Sequence, residues 1–198
     1  MVFNVLDKNR VHTTRTTETH TITGETKEIH GQRAFVRLET SSDGDSSQTL
    51  ANLNSQGALQ LHRMADITFT PPLVFPKYAK VGQSTHMEGK ADVVIDNLHP
   101  RGRYRADIRV LSIESVKVPA GTFSSVRVRI DFDVSLEEHD SKVDLSISAA
   151  GGETRWLVKR IGMVESLSSG QTNITMNGRH KLINDQVKSV MTRYSIPR

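Results

Sequence analysis

The chain has 198 residues, no cysteine, and a formal charge of +4 from 26 Lys and Arg against 22 Asp and Glu. Disulfides, zinc-thiolate sites and thiol nucleophiles are therefore excluded. Because opposite charges are interspersed rather than gathered into a basic block, no nucleic-acid partner is expected. The length suits a single domain over residues 1–198. With only 5% aromatic residues, its core must rest on Val, Ile and Leu, whose branched side chains suit strands. No window approaches 18 apolar residues, so no transmembrane segment is expected.

In chain order, the first sixty residues read as a meander. "RVHTTRTTETHTI" is a Thr-rich strand with a wet face, and "TGETKE" reads as a turn centred on Gly24. "GQRAFVRLET" alternates Ala34, Val36 and Leu38 against Phe35 and Arg37, a second strand. "SSDGDSSQ" breaks it. Asp43 and Asp45 around Gly44 suggest an acidic metal loop, but Ser47 and Asn52 stand where an EF-hand needs ligands, so a hairpin turn is expected. "SQGALQLHRM" resumes strand pattern. Pro71, Pro72 and Pro76 then argue for an ordered apolar crossover loop through "TPPLVFP".

In the second half, "DNLHPRGR" is a polar turn leading to a long strand with Tyr104, Ala106, Ile108 and Val110 in phase. Leu111 and Ile113 then fall on the opposite parity and Val116 and Val118 on the original one, the signature of a β-bulge. "PAGTF" makes a corner. From Val126 the alternation is complete: Val126, Val128, Ile130, Phe132, Val134 and Leu136 point one way, and Arg127, Arg129, Asp131, Asp133 and Ser135 the other. Alternation of this kind belongs to antiparallel sheets. Burying each dry-face side chain contributes about 1.5–3 kcal/mol before entropy, so something must cover this face. "EEHDSK" turns into "KVDLSIS", "AAGGE" punctuates, and "TRWLVKRIGMVESLSSG" gives two short strands around Gly162. "INDQVKSVMTRYSIP" reads as a short helix then a strand, or as a strand alone. No segment carries a helical stripe of 12 residues, so the fold expected is all-β, a single strongly curved antiparallel sheet resembling the half-barrel of lipoprotein carriers, with few or short helices.

Catalytic patterns are absent. There is no G-x-S-x-G elbow, no P-loop and no Rossmann glycine run. The eight histidines form no H-x-H or H-x-x-x-H pair, so no metal and no cofactor are expected. "HPRGRYR", residues 99–105, has three arginines and an aromatic ring that suit an acidic partner.

The succession "VKVPAGTFSSVRVRI" and then "TRWLVKRIGMVESLSS" resembles a closing signature of TapB-like proteins and related bacterial envelope families of unknown function, in which a V-P-A-G-T-F corner precedes a W-x-x-x-x-[VI]-G-[LM]-V strand. "NLNSQGALQLHR" and "PPLVFPKYAKVGQS" extend the resemblance over residues 53–167. It departs at Lys159 and Arg160, where such proteins often carry Ala, Pro or Gly. The resemblance implies a periplasmic or envelope-associated protein whose export leader is missing ahead of Met1, and a sheet that wraps an apolar cavity. On that basis Phe75, Phe132, Val134 and Trp156 are expected to line a concave apolar face for a lipid, an apolar ligand or a lipidated envelope partner. The alternative is a non-enzymatic scaffolding protein that pairs through a sheet edge or rim, with its inner face packed.

Overall fold

The computed structural model describes residues 2–7, 10–77, 79–95, 97–139 and 143–195, with side chains from residue 16 onward. Every regular element among them is a strand: β1 (Val2–Asp7), β2 (Arg10–Arg15), β3 (Glu18–Ile29), β4 (Gln32–Ser41), β5 (Ser46–Leu53), β6 (Leu59–Met64), β7 (Ile67–Phe75), β8 (Ser84–Val93), β9 (Arg101–Val118), β10 (Gly121–His139), β11 (Asp144–Val158), β12 (Gly162–Met176) and β13 (Arg179–Val190). They make one thirteen-stranded antiparallel sheet in the order β2-β1-β13-β12-β11-β10-β9-β8-β7-β6-β5-β4-β3. From β3 to β13 it is a plain meander, and the β1–β2 hairpin adds to it alongside β13. The fold is all-β, as the alternation requires.

The connectivity dictates the curvature. β2 and β3 are the two opposite edges of the sheet, yet only Thr16 and Thr17 join them. Laid flat, thirteen strands about 4.8 Å apart would span roughly 58 Å. The three virtual bonds from Arg15 to Glu18 reach about 11 Å at most. The sheet therefore curls into a half-barrel whose edges converge at this link, where the Thr17 N–H donates to Ser42 Oγ and its carbonyl accepts from the Ser42 N–H.

With no second layer among the described residues, side chains are buried because the sheet curls over them. The main cluster joins Ala51, Leu61, Phe69, Leu73, Ala91, Val93, Tyr104, Ala106, Val134 and Leu136 across β5 to β10. Ile108, Val128 and Ile130 continue it along the same face. A smaller cluster of Ala34, Val36 and Leu50 sits at β4 and β5.

The bulge expected after Val110 is present. Val128 pairs with Val110 and Arg127 with Ser112, so Leu111 is the extra residue in β9. Its effect is to flip the even-numbered stripe. Tyr104 to Val110 face the inward, dry side, while Val116 and Val118 face the opposite, wet side.

Four expectations are corrected. The strand "RVHTTRTTETHTI" is cut at residues 16–17 into β2 and β3, because its halves belong to opposite edges. Gly24 is not a turn: β3 runs on to Ile29, and Gly24, at φ 80°, sits in a bulge between Ile22 and Thr26. "TPPLVF" is strand rather than loop, and its prolines fall where the ladder is open. β7 pairs with β8 only as far as Thr70, and with β6 at Leu73, Val74 and Phe75. "AAGG" lies inside β11, paired on both sides. Of the two readings of the C-terminal segment, the strand is the one found, with residues 183–190 in β13. Met1, Asp96 of the "DNLHPRGR" turn and residues 140–142 of the "EEHDSK" turn lie outside the described residues.

Candidate functional site

Three of the four expected lining residues share the dry face. Val134 is packed at 7% exposure in the main cluster, and Phe75 packs against both dry-face clusters. Phe132 lies on the same strand face and keeps 36% exposure. Its ring covers Gly151, its direct partner on β11, where a Cβ would come within 3.2 Å of Phe132 Cζ. A large aromatic side chain shielding a cross-strand glycine is a structural device. It accounts for Phe132 without a ligand.

Trp156 is a correction. The β10–β11 ladder pairs it with Arg127, which places it on the wet face, opposite Phe132 and Val134. There it closes a separate cluster with Val116, Val118 and Val164, flanked by Phe123 and Met191. Its Nε1–H donates to Glu114 Oε1 at 2.7 Å, and the Arg127 guanidinium stands 5.2 Å from the ring centroid. Hydrogen bonds from Ser112 and Trp156, with the Arg127 charge, hold the Glu114 carboxyl below its ordinary value against the opposing effect of burial. The chain beyond β13 roofs this cluster: the Met191 carbonyl accepts from Ala120 N–H, the Met191 N–H donates to Val164 O, and Tyr194 stacks edge-on against Phe123.

A groove among the described residues opens on the wet face. It has a volume of about 620 Å³ and crosses five strands, β8 to β12. Register explains its shape. One wall is the cross-strand row Glu88, Arg105, Asp133, Ala150 and Gln171, and the other is the row Lys90, Arg103, Ser135, Ser148 and Asn173. Between them runs the backbone of Gly89, Tyr104, Val134 and Ala149, with the Tyr104 and Val134 side chains buried on the other face. Small residues at β10 and β11 leave the middle open. Of the arginines singled out in residues 99–105, Arg103 and Arg105 line this trough. Arg101 lies one row further on, 3.3 Å from Asp92.

Two ionisable groups outside the groove are held within the fold. At the β3 edge, burial pushes the Glu39 carboxyl up, but hydrogen bonds from His20 and Arg37 and their charges bring it from 4.5 to about 2. His62 is buried with Nε2 3.1 Å from Asn52 Oδ1, and burial lowers its pKa. No group of three or more His, Asp or Glu able to hold a metal occurs among the described residues. Among those residues no helix is long and apolar enough to cross a membrane.

No protein-family model matches the chain, and no curated protein matches it. Among solved structures, a Bacteroides fragilis protein inferred to be exported, with a YmcC-like fold, superposes with a TM-score of 0.46 at 15% identity, covering 97% of this chain and 92% of that one.

Proposed function

We propose that this chain is a non-enzymatic module of the cell envelope that holds a partner against the polar, outward face of its central strands. The envelope assignment follows from the TapB-like resemblance of the corner and closing strands. One observation carries the rest: charged, amide and hydroxyl side chains with Ala150 wall the accessible groove, whereas three of the four residues expected to make an apolar cavity, Phe75, Val134 and Trp156, are packed into apolar clusters. The acidic residues of the groove, Glu88 and Asp133, flank Arg105 in an alternating row, which suits recognition better than proton transfer.

The apolar-carrier reading keeps one supporting observation, the partial exposure of Phe132 on the inner face. A titration with a fluorescent long-chain fatty acid separates the two. The expected result is no saturable uptake. Saturable 1:1 uptake that Phe132→Asp abolishes in a folded protein would overturn the proposal in favour of the carrier.

A further inference from the structure

The two rows that wall the trough differ in their charge pairing. Each cross-strand row on the wet face lies two residues from the next, and side chains directly opposite one another are about 4.5–5.5 Å apart at Cβ. His86 faces Asp107, with Nδ1 2.9 Å from Oδ1. Glu88 faces Arg105, which faces Asp133. Asp92 faces Arg101, which faces Glu137. Like also faces like at Asp107 and Asp131 and at Arg109 and Arg129, but of the two rows that wall the trough only one does so: Lys90 faces Arg103, followed by Ser135, Ser148 and Asn173, with no acid in it. Opposed like charges destabilise a sheet. Neither cation has an ion-pair partner among the described residues, although every neighbouring row supplies one.

The rest of the trough narrows the choice of ligand. Its five strands give a length of roughly 19 Å, and the walls stand about 7 Å apart, which admits one chain lying across the strands. At Tyr104, Val134 and Ala149 the floor backbone is engaged in the sheet ladder on both sides and offers no free edge for a peptide to extend, while Gly89 pairs with Tyr104 alone. Past the two cations, Ser135, Ser148, Gln171 and Asn173 are neutral side chains that both donate and accept hydrogen bonds. Hydroxyl groups have the same dual character.

Deepening the reading above, on which it rests, we propose that the trough binds an acidic oligosaccharide: a carboxylate sits between Lys90 and Arg103, and neutral sugar hydroxyls run over Ser135, Ser148 and Asn173 toward β12. The test is calorimetric titration, at low and at moderate salt, with a xylo-oligosaccharide bearing one glucuronic acid, the same oligosaccharide without it, and a hexapeptide of one glutamate and five serines. The acid-bearing sugar is expected to bind saturably, and Lys90→Ala or Arg103→Ala to weaken it about tenfold, the scale of one lost charge-assisted hydrogen bond. Arg101→Ala, outside the trough, is expected to leave binding intact. Ser135→Glu supplies the missing acid opposite Arg103, so it is expected to raise Tm and abolish binding in a folded protein. No saturable binding of the acidic sugar, or full binding by Arg103→Ala, overturns the site. Equal binding of the peptide overturns the saccharide assignment. Chromatography of the recovered sugar keeps the two claims apart: intact sugar upholds both, while sugar bound at the trough and returned cleaved upholds the site and overturns the non-enzymatic reading.

Discussion

Trp156 illustrates what one residue's position can and cannot disclose in advance. Its alternation with Val158 reads as a strand with a dry side, but which side depends on the β10–β11 register, and that pairs even-numbered β10 residues with odd-numbered β11 ones. The hairpin register is not written in either strand alone, so a residue in phase with Phe132 by number ends on the other face. Trp156→Ala removes a large side chain at 8% exposure and is expected to cost about 3–5 kcal/mol, read from the urea midpoint. A loss below about 1 kcal/mol would mean that the ring is not packed as described. Glu39 offers a second check. Its folded pKa, about 2, lies below the ordinary 4.5, so its contribution to stability is complete above about pH 4.5 and is lost as pH falls toward 2. Glu39→Gln is therefore expected to flatten the acid limb of a Tm-against-pH curve in that window, and an unchanged limb would contradict the His20–Glu39–Arg37 arrangement.

Among the elements, β9 was the most legible. The parity switch around Leu111 is visible in the sequence because the bulge leaves the apolar residues on both sides of it in strand pattern, and the ladder confirms it. "TPPLVF" and "AAGG" were misread for the opposite reason. Proline and glycine signal breaks by local preference, but here the prolines fall in a gap of the ladder. Gly151 and Gly152 meanwhile stand where a Cβ would approach the Ser169 carbonyl at 2.8 Å or the Arg129 side chain. Close approach selected the glycines, not a turn. Gly151→Ala is accordingly expected to lower Tm by several degrees, whereas the same change at Gly178, which has nothing within 4 Å of its Cβ, should cost only the strain of its φ of 76°. The segment after β13 is the other decisive element. Truncation at Val190 strips Met191 and Tyr194 from the Trp156 cluster and is expected to red-shift the fluorescence of the single tryptophan and make it quenchable by acrylamide. A blue, protected emission after truncation would show that the roof is dispensable.

At the scale of the whole molecule, the fold class could be read from alternation, while the closure could not: nothing in residues 10–23 says that two threonines join opposite edges of a thirteen-stranded sheet. The price of a single layer is exposed surface. The accessible area is 13044 Å², against about 9,300 Å² for a compact protein of this mass. A sheet this open has area to spare for recognition, and the polar trough across its centre lies outside the packed dry-face core. The polar site itself was only partly legible, through the arginines of residues 99–105, because a groove walled by two cross-strand rows is assembled from five strands and has no local motif. The central claim is that the inner apolar face is filled by the protein's own side chains and not by a lipid. Native mass spectrometry of protein purified without detergent tests it most directly. The account requires the bare mass of the chain or of an integral oligomer, and a discrete additional mass of lipid size that is lost on denaturation would contradict it.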